Sequence, residues 1–377
     1  MKNNYLINIH RIEKESLLEN ENVLTNDYSE NKLDFLRFKS GYKKIFSDSE
    51  INDEELLNLF LSVKTHQAIA ENDLYYKNSY NNINITEIPD ENQPKIFCSF
   101  HLGSYTILPI LLAKYKIALI VNKKTLFTKG SKFIEVAKTN NIKEFDIIDA
   151  EESSSLINII KKVKQGFSLF FYLDGNTGVG GFDRNDDKLE KIDFLGKKLL
   201  SRKGVAFLAY KLNLTIVPLY TYRENNQNFI INDSSISTKN LQHTSIEDFC
   251  FKCTQLLWSK FEKILLKYPH QWEGWQYIFN FFIRNKKYEE VHNFTERDVE
   301  YSVLSFSKGK DVFFKNEKFY IYDYFNFQTI EISKIIFIVL LNLKNKKLII
   351  SFNDLSKLLS KNTILNLINN KTLSITK

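Results

Sequence analysis

The stretch KIFCSFHLGSYTILPILLAKYKIALIVN, Lys95 to Asn122, decides the fold. It begins with β-favouring residues at 95–100, continues with an apolar stretch of helical character at 105–115, and ends in a second apolar strand at 117–121. Strand, helix and strand in this order predict a βαβ unit, whose parallel strands are buried on both faces. Ligands bind to such sheets at the carboxyl ends of the strands, and His101 lies at that point.

The same alternation continues to about residue 222. Strands are predicted at 95–100, 117–121, 144–148, 168–173 and 215–222, with helices at 129–140, 153–164 and 201–211. A longer helix is predicted at 245–267. The alternation predicts an α/β fold with a mainly parallel sheet flanked by helices.

The pattern changes after a polar gap at 285–300. Short strands at 301–306, 311–314 and 318–324 precede helices at 333–343, 353–359 and 362–368 and a final strand at 372–375. This order is typical of a small winged-helix-like α+β module. We therefore predict a helical N-terminal region at 1–85, an α/β core at 86–292 and the small winged-helix-like module at 300–377.

The amino-acid composition indicates what class of protein this is. The 377 residues are 43% hydrophobic and 14% aromatic, which predicts a folded globular chain. The net charge is +7, and residues 295–377 carry 13 Lys and Arg against 8 Asp and Glu, a net of +5. This surplus suits an acidic carrier protein, an anionic membrane surface or a nucleic acid, and selects none of them.

The sequence predicts neither export nor a metal site. The N-terminus lacks the apolar core of a signal peptide, and no apolar run reaches the roughly 18–20 residues of a spanning helix. We expect a cytoplasmic protein, with peripheral contact to the inner membrane face still open. Cys250 and Cys253 have no second pair and no histidine at zinc spacing, so a reduced, partly buried pair is expected.

Five blocks in order resemble one family. The first, HLGSYT at 101–106, resembles the His-x-Gly-Asn-x-Glu/Asp block of the lysophospholipid and lipid A late acyltransferases. The others are FYLDG at 171–175, FLG at 194–196, IVPL at 216–219 with Arg223 shortly after, and YPHQWEGW at 268–275. The resemblance covers roughly residues 50–290.

The resemblance implies acyl transfer. His101 would be the general base that deprotonates a hydroxyl or amine of the acceptor, which attacks the thioester of an acyl-CoA or an acyl carrier protein. No further cofactor is implied. The acceptor class stays open between a peptide, a metabolite and a lipid.

The sequence departs from the family pattern at Thr106, where a carboxylate normally orients the histidine. A threonine hydroxyl can hydrogen-bond an imidazole but cannot stabilise an imidazolium by charge. Asp174 is the predicted substitute, because it ends a strand of the same sheet, and Thr106 is the candidate that would assist it. The alternative is a catalytically inactive protein that keeps the fold as a binding or scaffold partner.

Five further residues are predicted to bind substrate. Backbone donors near Gly103 and Ser104 would meet an oxyanion, and Gly175 opens a glycine-rich stretch that is either a lid or a plain loop. Arg202 belongs to a basic cluster that is either a phosphate site or a solvated surface, and Arg223 is a candidate anion ligand.

The small module leaves several partners open. Its order of strands and helices resembles the modules that hold leader peptides for peptide-modifying enzymes, which bind an extended peptide at a sheet edge. A DNA-binding role is less favoured, because the helix at 362–370 has no arginine for base recognition. A structural or dimerisation role also stays open.

Overall fold

A computed structural model describes residues 8–15, 31–47, 50–75, 84–85, 93–112, 115–175, 188–282 and 294–376. The chain forms two compact units. The first takes residues 1–18 and 52–283, and the second takes 19–51 and 284–377. Residues 1–85 are thus shared between the units, and the three regions drawn from the sequence stay a prediction.

The helices and strands are numbered in chain order. The α-helices are α1 (Lys32–Ile45), α2 (Asp53–Asp73), α3 (Leu108–Leu111), α4 (Lys123–Thr139), α5 (Ser155–Lys164), α6 (Gly204–Leu212), α7 (Ile246–Leu265), α8 (Glu296–Val299), α9 (Lys334–Asn345), α10 (Phe352–Leu355) and α11 (Lys361–Asn369). The strands are β1 (Asn84–Ile85), β2 (Ile96–Ser99), β3 (Ile117–Val121), β4 (Phe145–Asp149), β5 (Ser168–Tyr172), β6 (Leu189–Phe194), β7 (Lys197–Arg202), β8 (Ile216–Glu224), β9 (Gln227–Asn232), β10 (Val303–Phe306), β11 (Lys310–Lys315), β12 (Lys318–Asp323), β13 (Gln328–Ile332), β14 (Ile349–Ser351) and β15 (Leu373–Thr376). Short 3₁₀ turns lie at Tyr105–Ile107, Pro269–Gln271, Glu273–Gln276 and Ile278–Asn280.

A seven-stranded sheet organises the first unit, in the order β1-β9-β8-β2-β5-β3-β4. Five adjacent strands, β8, β2, β5, β3 and β4, are parallel to one another, whereas β9 runs antiparallel to β8. This confirms the predicted α/β fold with a mainly parallel sheet flanked by helices. Because β2 and β5 are neighbours and parallel, the residues that follow them meet at one edge of the sheet.

Both faces of this sheet are covered, as continuous apolar strands require. Alternate residues of β2 point to opposite faces, so Ile96 packs with α5, α6 and α7 while Phe97 packs with α4. The helix α2 begins with a capping box, in which the Asn52 side chain accepts from the backbone of Glu55 and the Glu55 side chain accepts from the backbone of Asn52.

The first unit differs from the sequence-based prediction in the segment 105–115 and in the hairpin of β6 and β7. The prediction of a helix at 105–115 is wrong, because the chain forms one 3₁₀ turn and then the four-residue α3. Pro109 has no N–H to bond the carbonyl of Tyr105, and that carbonyl accepts the Tyr172 hydroxyl at 2.8 Å instead. The strands β6 and β7, which form an antiparallel hairpin at Leu195 and Gly196, were not predicted.

The second unit contains two three-stranded antiparallel sheets, in the orders β14-β10-β15 and β11-β12-β13. Helices α9 to α11 share its core with the strands. The helix α1, distant in sequence, packs on the second sheet through Leu33, Leu36, Phe313 and Tyr322. The small α+β module is therefore present, and its likeness to winged helices stays a prediction.

Candidate active site

His101 and Asp174 lie side by side at the carboxyl edge of the sheet, just beyond β2 and β5. The imidazole Nδ1 is 2.8 Å from Asp174 Oδ1. The aspartate side chain is completely buried, whereas 17% of the histidine side chain is exposed. A carboxylate on Nδ1 fixes the tautomer with the proton on that nitrogen, so the lone pair lies on Nε2.

Three donors hold the Asp174 carboxylate. The backbone N–H of His101 donates to both oxygens, at 3.1 and 3.0 Å. The imidazole Nδ1–H of the same residue is the second donor. The indole Nε1–H of Trp272 donates to Oδ2 at 2.6 Å. A buried carboxylate needs such partners, and here each oxygen of Asp174 has two donor contacts.

Opposing effects act on the pKa of His101. Burial lowers the pKa of the imidazole, but the charge of Asp174, its hydrogen bond and the charge of Glu273 together raise the pKa above its usual value. The nearby Lys129 opposes that rise. The net result is a histidine of raised basicity, which makes the neutral imidazole a stronger proton acceptor.

Aromatic rings and a second carboxylate surround the imidazole. The ring centroids of Tyr105 and Tyr172 are 4.6 and 4.5 Å from that of His101. The Tyr105 hydroxyl donates to Glu273 Oε2 at 2.5 Å. The backbone N–H of Glu273 donates to the His101 carbonyl at 2.9 Å, which ties the 3₁₀ segment of Trp272 and Glu273 to the histidine loop.

The histidine loop itself depends on Gly103. Its φ of +56° favours glycine, and a Cβ there would come 2.8 Å from the Tyr222 Cα. The Gly103 N–H donates to the Gln271 carbonyl at 3.1 Å. This N–H is therefore occupied, which corrects the expectation that it meets an oxyanion.

Ser104 and Arg223 belong to a buried polar network beneath the loop. The Ser104 hydroxyl contacts the carboxylate of Asp73, the last residue of α2, and lies 2.8 Å from Asn228 Oδ1. The Arg223 guanidinium is 3.5 Å from the same carboxylate, and both charged side chains are almost fully buried. The network holds the loop in place, and it is where the structure puts both of these predicted substrate-binding residues.

Thr106 is buried and turned toward α2, where its hydroxyl donates to the Ala70 carbonyl. That hydrogen bond joins the loop to the helix. The residue also lines the cavity described next, but the described contacts bring Asp174, not Thr106, to the imidazole.

A cavity of about 940 Å³ opens on the exposed side of His101. It runs past the ends of β3, β4 and β5 to the first turns of α5 and α6. Its ionisable lining residues are His101, Tyr105, Lys129, Glu151, Glu152, Tyr172, Lys188, Arg202 and Glu273. Gly175 also lines it, and a Cβ there would come 3.3 Å from the His101 Cε1, so glycine leaves the imidazole accessible.

A second, more apolar cavity of about 560 Å³ adjoins the first. Both are lined by Leu156, Ile159 and Leu208, and Lys188 and Arg202 lie where they meet. Two lysines close to Arg202 in the sequence form ion pairs, Lys198 with Asp193 and Lys203 with Glu190. The structure thus places Arg202 on the cavity wall, whereas the glycine-rich stretch at 176–181 lies outside the described residues.

Other sequence-based expectations have simple outcomes. All three cysteines are free and buried, and burial raises the pKa of Cys253 to about 12. Across the described residues, no group of three His, Cys, Asp or Glu side chains is placed to hold a metal ion. In the same part of the chain, no helix combines the length and apolarity needed to cross a bilayer.

No sequence pattern predicted a role for Asp73, Asn228 or Glu273. Trp272 lies in the aromatic block that resembles the family's closing segment, but its contact with Asp174 had not been inferred. That contact depends on an antiparallel bridge between Leu102 and Trp272, which only the folded chain reveals.

Comparison with known proteins gives a distant structural likeness and no match by sequence. No known family profile matches the sequence. No curated protein matches it either. Among solved structures, the 1-acyl-sn-glycerophosphate acyltransferase PlsC from Thermotoga maritima is similar with a TM-score of 0.34 and 13% identity, over 68% of this chain and 98% of that chain. This likeness is too distant to assign an activity, and the function proposed below rests on the site.

Proposed function

We propose that the first unit is an acyltransferase, which moves a fatty acyl group from a thioester of CoA or an acyl carrier protein to an acceptor hydroxyl or amine. The observation that carries the proposal is the 2.8 Å contact between His101 Nδ1 and a buried Asp174 carboxylate at the wall of a large cavity. A base oriented by a buried acid, with its second nitrogen toward an open cavity, is the arrangement needed to activate a nucleophile.

The proposed reaction conserves protons. His101 Nε2 takes the proton of the acceptor X–H as X attacks the thioester carbonyl carbon, and Asp174 stabilises the imidazolium. The tetrahedral intermediate then collapses, the C–S bond breaks, and the imidazolium returns the proton to the leaving thiolate. The products are the acylated acceptor and a free thiol.

The two cavities support a thioester donor of this kind. Lys188 and Arg202, at their junction, fit the phosphate groups of CoA or a phosphopantetheine arm. Beyond them, the second cavity has the apolar wall that a fatty acyl chain needs, with Leu156, Phe207 and Leu208 among its lining residues.

A peptide acceptor is one proposal for the second unit. Among the described strands, β13 pairs only with β12, and most of its side chains are exposed. An extended peptide can add to such an edge by main-chain hydrogen bonds. Slower hydrogen exchange at the β13 amides on adding an acceptor peptide would support this, and unchanged exchange would count against it.

Three further expectations stay proposals. They are a lipid acceptor with peripheral membrane contact at the inner face, a metabolite acceptor, and an inactive scaffold. An enzyme needs a carboxylate within hydrogen-bond reach of the imidazole and a scaffold does not, so the contact with Asp174 favours the enzyme.

Thioester turnover tests the proposal. Purified protein is mixed with acyl-CoA of several chain lengths, and with the same chains on an acyl carrier protein, while free thiol is followed. We expect slow hydrolysis that His101→Ala abolishes and that Asp174→Asn lowers ~100-fold or more. His10→Ala, at an exposed histidine, and Asp149→Asn, at the end of β4, are matched controls. Turnover that survives His101→Ala, or no turnover with any donor, would overturn the proposal.

A further inference from the structure

Glu273 is one of three carboxylates at the wall of the His101 cavity, with Glu151 and Glu152, and it is the one of them whose charge acts on the imidazole. No step of the proposed reaction uses it. Its Oε2 accepts the Tyr105 hydroxyl at 2.5 Å, which is its one side-chain hydrogen bond within the described chain. Its backbone N–H is fixed to the His101 carbonyl. Holding Tyr105 occupies one oxygen of Glu273, so the other is left to meet a ligand in the cavity.

Neutral phenol rings lie around this carboxylate. The rings of Tyr105 and Tyr172 meet edge to face with centroids 5.4 Å apart, and Tyr277 lies 6.4 Å from His101. Burial, and after it the negative charge of nearby carboxylates that include Glu273, raises the pKa of all three hydroxyls well above the usual value. These rings therefore stay neutral, and their faces attract cations.

The charges near His101 have the sign that attracts a cation. Asp174 and Glu273 both lie beside the imidazole, and the nearest lysine of the cavity wall, Lys129, is 2.7 Å from Glu71 and partly neutralised by it. The cations Lys188 and Arg202 lie instead at the junction with the apolar cavity. A donor with phosphates and an acceptor with a positive charge would thus be drawn to different parts of one cavity.

We infer that the acceptor is a primary amine, which enters as an ammonium ion held by Glu273 and the faces of Tyr105 and Tyr172. The inference rests on the proposed acyl transfer and narrows its acceptor. The ammonium releases one proton to solvent. The amine nitrogen then attacks the thioester carbon, His101 takes a second proton, and the C–S bond breaks. That second proton leaves with the thiolate, so the products are an amide, a thiol and one solvent proton.

The test compares two acceptors that differ only in the reacting group. The full-length protein is given octanoyl-CoA or palmitoyl-CoA with n-butylamine or n-butanol, and amide, ester and free fatty acid are quantified by mass spectrometry. We expect amide in excess of ester. Glu273→Gln should lower the ratio of amide to free acid ~10-fold or more, because a charge-assisted contact is lost. Glu135→Gln, on the exposed face of α4, is the matched control.

A measurement on the wild type does not depend on the folding of the variant. Tetramethylammonium should raise the apparent KM for butylamine, whereas the neutral tert-butyl alcohol of similar size should not. An unchanged product ratio in Glu273→Gln, equal effects of the two competitors, or hydrolysis without any amide would overturn the inference alone. Absence of thiol release, or thiol release that persists in His101→Ala, would overturn the acyltransferase proposal with it.

Discussion

The Nδ1 atom of His101 lies 2.8 Å from the Oδ1 atom of Asp174 although the two residues are 73 positions apart. The contact follows from topology, because β2 and β5 are adjacent and parallel and each residue lies two positions beyond the end of its strand. The family that the sequence resembles carries its acid five residues after the histidine, on the same loop. Here that position holds Thr106, and the neighbouring strand supplies the carboxylate.

The pH dependence of thioester turnover should report this contact. A general base must be neutral, so the rate rises as pH increases through the His101 pKa, which lies above its usual value. Asp174→Asn removes the charge and the hydrogen bond that raise this pKa most, so the acidic limb should move to lower pH while the maximal rate falls ~100-fold or more. Glu135→Gln should leave the limb in place. An unmoved limb in Asp174→Asn would mean that the titrating group is not His101.

Trp272 should matter to activity through its N–H. Its indole donates to Asp174 Oδ2 at 2.6 Å, whereas the neighbouring buried Trp275 donates to the Pro269 carbonyl at 2.8 Å. Trp272→Phe should lower kcat/KM ~10-fold or more because a hydrogen bond to a buried charge is lost. Trp275→Phe removes an indole of equal size without touching the carboxylate. Equal losses in the two variants would assign Trp272 to packing alone.

Gly103 should tolerate no side chain. Both Gly103 and Gly166 have positive φ, but a Cβ at Gly103 meets the backbone of Thr221 and Tyr222, whereas Gly166 has nothing within 4 Å. Gly166→Ala should cost ~1–2 kcal/mol of unfolding free energy for the left-handed conformation. Gly103→Ala should cost ~1–3 kcal/mol more, because the backbone must shift. Urea unfolding gives the comparison, and equal losses would mean that the loop adapts freely.

His66 should make the first unit sensitive to acid. Burial, with help from His270 and Arg223, lowers its pKa from 6.5 to about 3. In the unfolded chain the imidazole takes a proton as pH falls below its usual pKa, whereas in the folded chain it stays neutral, so stability is lost across that interval. His66→Gln should therefore lose less stability between about pH 6.5 and about pH 4 than the wild type. His10→Gln, at an exposed histidine, should behave like the wild type.

The parallel strands could be predicted, because buried parallel strands are continuous apolar runs with recognisable ends. Their alternation with helices and the position of His101 could be predicted from the same runs. Asp174 could be proposed for the same reason, since parallel strands end at a common edge. The β6–β7 hairpin could not, because its exposed positions are charged and its turn uses Leu195 at a φ of +49°.

The second layer of the site left no trace in the sequence. Asp73 ends a helix, Asn228 lies in a strand that was not predicted, and Glu273 lies in an irregular 3₁₀ turn. Each acts through contacts made across the fold, which neither periodicity nor spacing encodes. The sequence shows Pro109 inside the segment 105–115, where a continuous helix was predicted. The missing N–H of this proline accounts for the wrong prediction.

The buried pair of Arg223 and Asp73 should stabilise the fold that holds the histidine loop. Arg223→Met leaves the buried Asp73 carboxylate without the guanidinium charge beside it, and the first unit should lose ~3–5 kcal/mol. The double variant Asp73→Asn with Arg223→Met removes both charges, so part of the loss should return. All three tryptophans lie in the first unit, so tryptophan fluorescence during urea unfolding reports that unit alone. Lys198→Gln, which breaks an exposed pair with Asp193, is the control and should change little. A double variant no more stable than Arg223→Met would show that the two charges are not coupled.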